Sequence, residues 1–131
     1  LHAREWLKNS FEQACFDALV NEYGKNNVLY EPEEFLYTSE HFYTPDFRVR
    51  DGSSLFYVES KGYLRPDNCR TIVHVIEQHN LDLRIVFQRN QKLRKGSEQR
   101  YSDWADRKGI TYCVGVKNIK DIAPDEHTRS L

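Results

Sequence analysis

The chain has 131 residues, 39% of them hydrophobic and 30% charged, with a formal net charge of -1. That length suits a single domain (1–131) with a core of its own and is short for two. No stretch approaches the roughly 18 uninterrupted apolar residues that a bilayer-spanning helix needs. Methionine is absent, so Leu1 is not expected to be the genetic start. No charged start leads into an apolar run with a small-residue cleavage site, so a cytoplasmic protein is expected rather than a secreted one. Cys15, Cys69 and Cys113 lie far apart without a CxxC pair. This argues against a disulfide framework or a thiolate zinc site and for thiols that pack in a reducing compartment.

The small net charge conceals an uneven distribution. Residues 1–46 carry three bases against nine acids, residues 47–83 five of each, and residues 84–120 ten bases against three acids. An acidic part beside a basic part suits either an interface between the two or a basic surface for a polyanion. Ordinary solvated faces would give the same count.

In chain order, residues 9–24 are predicted to form a helix. Ser10 and Gln13 have capping-box spacing, Phe11, Cys15, Ala18 and Leu19 form an apolar stripe, and Gly24 suits the position past the end. Residues 28–38 look extended, with Pro32 marking an edge or a break. Strands are predicted at 43–50 and 55–61 around Asp51-Gly52-Ser53-Ser54, whose residues favour a hairpin turn. A second helix is expected at 67–79 with Ile72, Val75 and Ile76 inward, then a strand at 83–87. A third helix at 97–108 closed by Gly109 and a last strand at 110–114 complete the order αβββαβαβ. This is an α/β layout, a central mixed sheet of about five strands flanked by helices. Trp6 and Trp104 are expected as core or interface anchors.

The hairpin carries the chemistry. Strand alternation sets Phe47 and Val49 on one face and Asp46, Arg48 and Arg50 on the other; Phe56 and Val58 likewise oppose Tyr57, Glu59 and Lys61. A four-residue loop pairs Arg50 with Leu55, Val49 with Phe56 and Phe47 with Val58, and places Asp46 opposite Glu59. The two carboxylates then have Cβ atoms about 5 Å apart. Such a pair costs stability unless a proton or a cation sits between them. Hard oxygen ligands without a histidine pair or thiolates describe a Mg²⁺ site better than a zinc site. Lys61 would project beside the ion, placed to orient or deprotonate a water or to meet charge on a phosphate. Together these groups suit hydrolysis of a phosphodiester. A solvated hairpin face with a Glu59–Lys61 ion pair is the other explanation of the same residues.

The string Tyr43-Thr44-Pro45-Asp46-Phe47, then Val58-Glu59-Ser60-Lys61-Gly62, Leu83-Arg84-Ile85-Val86-Phe87, Lys92-Leu93 and Lys95-Gly96-Ser97 resembles the bacteriophage endonuclease I family of four-way-junction resolvases. The similarity runs from about Ser10 to Ile122 in several ordered blocks. It implies a restriction-endonuclease-like PD-(D/E)xK core cutting branched DNA with two metal ions, Mg²⁺ with Mn²⁺ as substitute. The implied site joins Glu12 of the first helix to Asp46, Glu59 and Lys61, with the backbone carbonyl of Ser60 completing the metal shell. From the residues alone, Glu12 has a second explanation, since an acid in a helix's first turn favours the macrodipole. The resemblance also implies an intertwined homodimer in which residues 1–34 swap onto the partner across a bridge at 35–43. Two sites in one dimer would make paired incisions across a junction. It further places the chain in the host cell cytoplasm.

For DNA contact, the densest basic run is Arg84, Arg89, Lys92, Arg94, Lys95 and Arg100, of which the last five are the candidates for phosphate binding. Arg65 and Arg70 are weaker ones. Two other classes remain open on the sequence: a sequence-specific endonuclease of homing, restriction or transposition type, and a non-catalytic nucleic-acid-binding dimer.

Overall fold

A computed structural model describes residues 9–37 and 41–124. Trp6, His2, His127 and the acids Asp125 and Glu126 lie outside the described residues, as do residues 1–8 of the segment expected to exchange. Helix α1 (Ser10–Tyr23) is followed by a 3-10 turn (Lys25–Asn27) and strand β1 (Val28–Tyr30). Strands β2 (Phe35–Tyr37), β3 (His41–Tyr43), β4 (Phe47–Asp51) and β5 (Ser54–Lys61) come next. Helix α2 (Pro66–His79), strand β6 (Leu83–Phe87), helix α3 (Tyr101–Arg107), strand β7 (Tyr112–Val114) and a 3-10 segment (Val116–Ile122) complete the chain.

The central sheet has five strands in the order β1-β4-β5-β6-β7. β1, β4 and β5 pair antiparallel, whereas β5, β6 and β7 pair parallel, so the sheet is mixed as expected. β2 and β3 form a separate two-stranded sheet. The parallel connections β5–α2–β6 and β6–α3–β7 step the same way across the sheet, and connections of one hand then leave both helices on one face. That face buries Tyr57, Leu83, Ile85 and Phe87 against Ile72 of α2 and Trp104 of α3, so Trp104 is a core residue. The opposite face buries Phe47, Val49, Phe56 and Val58 under Cys15 and Leu19 of α1 and Ile119 and Ile122 of the last segment. No described helix is long and apolar enough to cross a membrane.

The hairpin register is as the alternation predicts: Phe47 faces Val58, Val49 faces Phe56 and Arg50 faces Leu55. The turn is tighter than expected, because Asp51 and Ser54 also pair, leaving only Gly52 and Ser53 to turn. Gly52 has φ 61, the left-handed backbone that the first position of such a mirror-image turn requires.

Four expectations are corrected, the first being the strand at 43–50: Tyr43 ends β3 and β4 begins only at Phe47, so that five strands and not three precede α2. The cap of α1 is Asn9, not Ser10: Asn9 Oδ1 accepts the Glu12 N–H at 2.7 Å. The extended aromatic stretch is broken, since β1 stops at Tyr30, Glu31 takes φ 44, and β2 begins only at Phe35. The third helix starts at Tyr101 rather than residue 97. Ser97 Oγ accepts the Gln99 N–H at 3.0 Å in a local turn, and Lys92 bridges Arg100, so this stretch closes a loop before the helix begins.

Phe56 links the two ends of the chain. Its ring meets Tyr23 of α1 edge-on at 5.8 Å and lies 4.5 Å from the Arg84 guanidinium, which also donates to the Ile122 carbonyl at 2.6 Å. Replacing Phe56 with Ala is expected to cost about 3–5 kcal/mol, read from the midpoint of urea unfolding.

Candidate active site

The fold brings three sequence-distant segments to one end of the central sheet. β5 runs toward that end and delivers Glu59, Ser60 and Lys61. β4 starts there, so Asp46 immediately precedes it. The first turn of α1 brings Glu12 to the same place. The buried positions of α1 are Glu12, Cys15, Leu19 and Tyr23, so the glutamate continues the apolar stripe rather than facing water. Glu12 is 4% exposed, Asp46 6% and Glu59 6%, and these are the buried charged side chains of the described chain. A solvated acid serving only the helix dipole would not be so enclosed.

Each acid is held by hydrogen bonds. Glu12 Oε1 accepts the Tyr30 O–H at 2.7 Å. Glu59 Oε1 accepts the Tyr43 O–H at 2.7 Å and the Asp46 N–H at 3.2 Å. Asp46 Oδ2 accepts both the N–H and the Oγ–H of Ser60, at 2.9 and 2.8 Å. The last pair modifies the expected geometry. Ser60 and Glu59 are neighbours on β5 and point to opposite faces, so Asp46 does not simply share the Glu59 face. Strand pairing ends at Phe47 with Val58, which frees Asp46 from the alternation. Its backbone is nonetheless fixed, because its carbonyl accepts the Glu31 N–H at 2.7 Å.

Lys61 Nζ lies 3.7 Å from Glu59 Oε2, so the ion pair is present, but beside a buried acid and not on an open face. Arg48 turns away and pairs with Glu33 at 2.7 Å. Removal from water pushes the Asp46 carboxyl up to about 8; the neighbouring Glu59 and Glu12 charges add to the rise, and the Ser60 hydrogen bonds oppose it. Burial also raises Glu59, against the lowering effects of Lys61, the Tyr43 hydroxyl and the Asp46 N–H. Burial and the Glu59 charge hold the Tyr43 phenol well above its ordinary range, so it stays a donor. The thiol of Cys15, fully buried beside this cluster, is likewise raised, chiefly by burial, and is a packing group.

A cleft of about 420 Å³ opens beside these residues, lined by Asn9, Ser10 and Phe11 of the α1 start and by Ser60, Lys61, Gly62, Tyr63 and Gln88. β6 ends next to Lys61, and the Gln88 N–H donates to the Lys61 carbonyl at 2.9 Å. The basic loop therefore leaves the sheet at the same end as the acids. Arg89, Lys92, Arg94, Lys95 and Arg100 are all exposed, and none joins an ion pair among the described residues. Arg84 does not belong with them, being taken up by Asp82 at 2.8 Å and the Ile122 carbonyl. His41 stacks on Tyr37 with ring centroids 5.5 Å apart. The residues missed in the sequence are Tyr30 and Tyr43. Strand position alone does not say which hydroxyl meets which acid.

The class that this fold and cluster define is an α/β protein with an acidic centre and one lysine at the end of a mixed sheet. The model of the Phage endonuclease I family matches residues 7–125, and the chain belongs to that family. It is 36% identical over 94 residues to the protein named Endodeoxyribonuclease 1 of Enterobacteria phage T3, covering 66% of this chain and 60% of the relative. It is 32% identical over 110 residues to Endonuclease I of Escherichia phage T7, covering 79% of this chain and 72% of the relative. The chain thus spans 60% of the T3 protein's length in the matched region.

A carboxyl with a raised folded pKa stabilises the fold below its ordinary pKa of 3.8 and loses that contribution as pH rises toward 8. In chelator, the melting temperature should therefore fall as pH rises from about 5 to about 8, by roughly 4 °C for each kcal/mol lost. Asp46→Asn should flatten that dependence and melt higher than the parent at the alkaline end, as followed by circular dichroism.

Proposed function

We propose that the chain is a divalent-metal-dependent, structure-selective DNA endonuclease that hydrolyses phosphodiester bonds in branched DNA, foremost four-way junctions, by paired incisions from a homodimer. The observation that carries this reading is the burial of Asp46 and Glu59 beside Lys61, which with Ser60 lines an open cleft. The names of the T3 and T7 relatives, Endodeoxyribonuclease 1 and Endonuclease I, support the endonuclease part of it.

The donor set fits a hard cation. Two desolvated carboxylates whose pKa values are raised are short of positive charge, and among the described residues Lys61 is the cation paired with one of them. Among the described residues no three His, Cys, Asp or Glu side chains form a ready-made cage. That is compatible with Mg²⁺, which is commonly held by one or two carboxylates and keeps its other positions for water and phosphate. Asp46, Glu59, Glu12 and the Ser60 carbonyl would hold the metal, two ions per site, with Mn²⁺ as substitute. When bound, such an ion supplies Lewis acidity to the phosphate and acidifies a coordinated water.

The chain's own residues do the rest. Asp46 and Glu59 are fixed before substrate arrives, which removes the cost of ordering them at the moment of reaction. Lys61 would meet charge developing on the phosphate or orient the attacking water. Arg89, Lys92, Arg94, Lys95 and Arg100 would hold the DNA backbone as it leaves the cleft, contacts that position a duplex without reading its sequence. α1 and β1 pack on β4, and the same contacts can be made within a chain or between two. An exchange of this unit across residues 35–43 would assemble the same site in a homodimer.

Cleavage of a synthetic four-way junction, set against linear duplexes of identical sequence with and without Mg²⁺, tests the proposal. Incision of the junction only with metal is expected; equal cutting of both substrates defeats the junction preference, and no cutting with Mg²⁺ or Mn²⁺ defeats the enzyme. Asp46→Asn should lower incision by at least about 100-fold while junction affinity is kept or improved, since a charge that repels phosphate is gone. Lys92→Ala with Lys95→Ala should weaken junction binding and flatten its log–log salt dependence by about 0.9 for each lost phosphate contact.

A further inference from the structure

The oxygens of the buried acids are not equivalent. Asp46 Oδ2 is occupied by two donors, the Ser60 N–H and the Ser60 hydroxyl. Glu59 Oε1 is also occupied by two, the Tyr43 hydroxyl and the Asp46 N–H. The oxygen of Glu59 nearer Lys61 is the other one, Oε2. Glu12 repeats the pattern, with the Tyr30 hydroxyl on Oε1 at 2.7 Å. In each acid a neutral donor ties at least one oxygen, and a carboxylate so tied cannot spin freely about its broad terminal torsion.

The two hydroxyls come from places that are themselves fixed. Tyr30 closes β1, and its ring packs on Phe47 of β4 with centroids 5.8 Å apart. Tyr43 closes β3 and pairs with Phe35 of β2. Phe35 in turn meets Tyr57 edge-on and His79 of α2, both at 5.2 Å between centroids. The small β2–β3 sheet is thereby anchored to α2 and points one hydroxyl at the acidic cluster. Each phenol donates to a carboxylate, Tyr30 to Glu12 and Tyr43 to Glu59.

We propose that Tyr30 and Tyr43 are positioning residues of the active site: each hydroxyl holds one oxygen of a metal-binding carboxylate, Glu12 and Glu59 respectively, so that the other oxygen is presented to the cation. This rests on the nuclease reading given above. It makes the β2–β3 sheet, separate from the five-stranded sheet that carries Glu59, part of what sets metal affinity. Hydrogen-bond partners of metal ligands commonly alter metal affinity or activity by about 10–100-fold when removed.

The test is Tyr43→Phe, Tyr30→Phe and the double variant in the full chain, which delete a hydroxyl and keep the ring. Calorimetric titration of each metal-free protein with Mn²⁺, without DNA, should show binding weakened by about 10-fold or more. The Mg²⁺ concentration for half-maximal junction cleavage should rise in parallel, with the rate recovered at high Mg²⁺. Junction affinity in Ca²⁺ should stay near that of the parent, and melting in chelator should remain cooperative and fall only by roughly 4–12 °C for each hydrogen bond to a buried carboxylate that is lost. Parental Mn²⁺ affinity and parental Mg²⁺ dependence in both single variants would overturn the assignment. A loss of folding or junction binding with no change in metal affinity would also overturn it, by showing a packing role. Should the parent itself take up no Mn²⁺ and cut no DNA, the nuclease reading fails and the tyrosine assignment with it. Should the parent do both and the variants match it, only the tyrosine assignment fails.

Discussion

Two carboxylates, Asp46 just before β4 and Glu59 on β5, are withdrawn from water at the same end of the sheet, and much of the surrounding structure answers the repulsion between them. Ser60 supplies two donors to one, Tyr43 and the Asp46 amide supply two to the other, and Lys61 supplies the nearby positive charge. Hydrogen bonds from neutral donors spread the charge without removing it, so burial still raises both pKa values. A fold selected for stability alone would replace such a pair by apolar side chains. Its burial with raised pKa values is what marks a candidate site.

The sheet makes this possible by its mixed topology. The antiparallel hairpin places the start of β4 beside the end of β5, which brings Asp46 next to Glu59. The parallel step from β5 to β6 then puts the exit of β6 at the same end, beside Lys61. The basic loop that follows is carried there by the backbone, so acids and bases share one end of the molecule without competing for the same positions. α1 covers the opposite face from α2 and α3, and its first turn reaches the cluster from that side. Glu31, at φ 44 just past β1, turns its N–H onto the Asp46 carbonyl and so fixes the acid from the third strand. Backbone held in that region is costly for a residue with a side chain and persists where its surroundings demand it.

What could be read in the chain differed from element to element for identifiable reasons. The register of β4 on β5 followed from period-two alternation, which tolerates no odd slip without exposing Phe47, Val49, Phe56 and Val58. Glu12 was legible only through the family resemblance, since an acid in a first turn also suits the helix dipole; the structure adds that it shares the buried face of Cys15, Leu19 and Tyr23. The start of α3 was misplaced because Ser97 resembles a cap, yet its hydroxyl closes a turn onto Gln99 instead. The break of the aromatic stretch at Glu31 was only hinted at by Pro32, since nothing local says that β1 joins the main sheet and β2 does not.

The sequence by itself determined the hairpin register, the nearness of Asp46, Glu59 and Lys61, the α/β class with its mixed sheet, and the family, because alternation and short turns act over a few residues and leave a pattern that can be counted. Only the tertiary structure decided that Tyr30 meets Glu12 across 18 residues and Tyr43 meets Glu59 across 16, and that Arg84 serves the fold rather than the basic loop. Those choices depend on how strands and helices stack through shared burial. Burial is a non-directional force that selects faces, and it leaves the individual partners of each polar group to the packing that results.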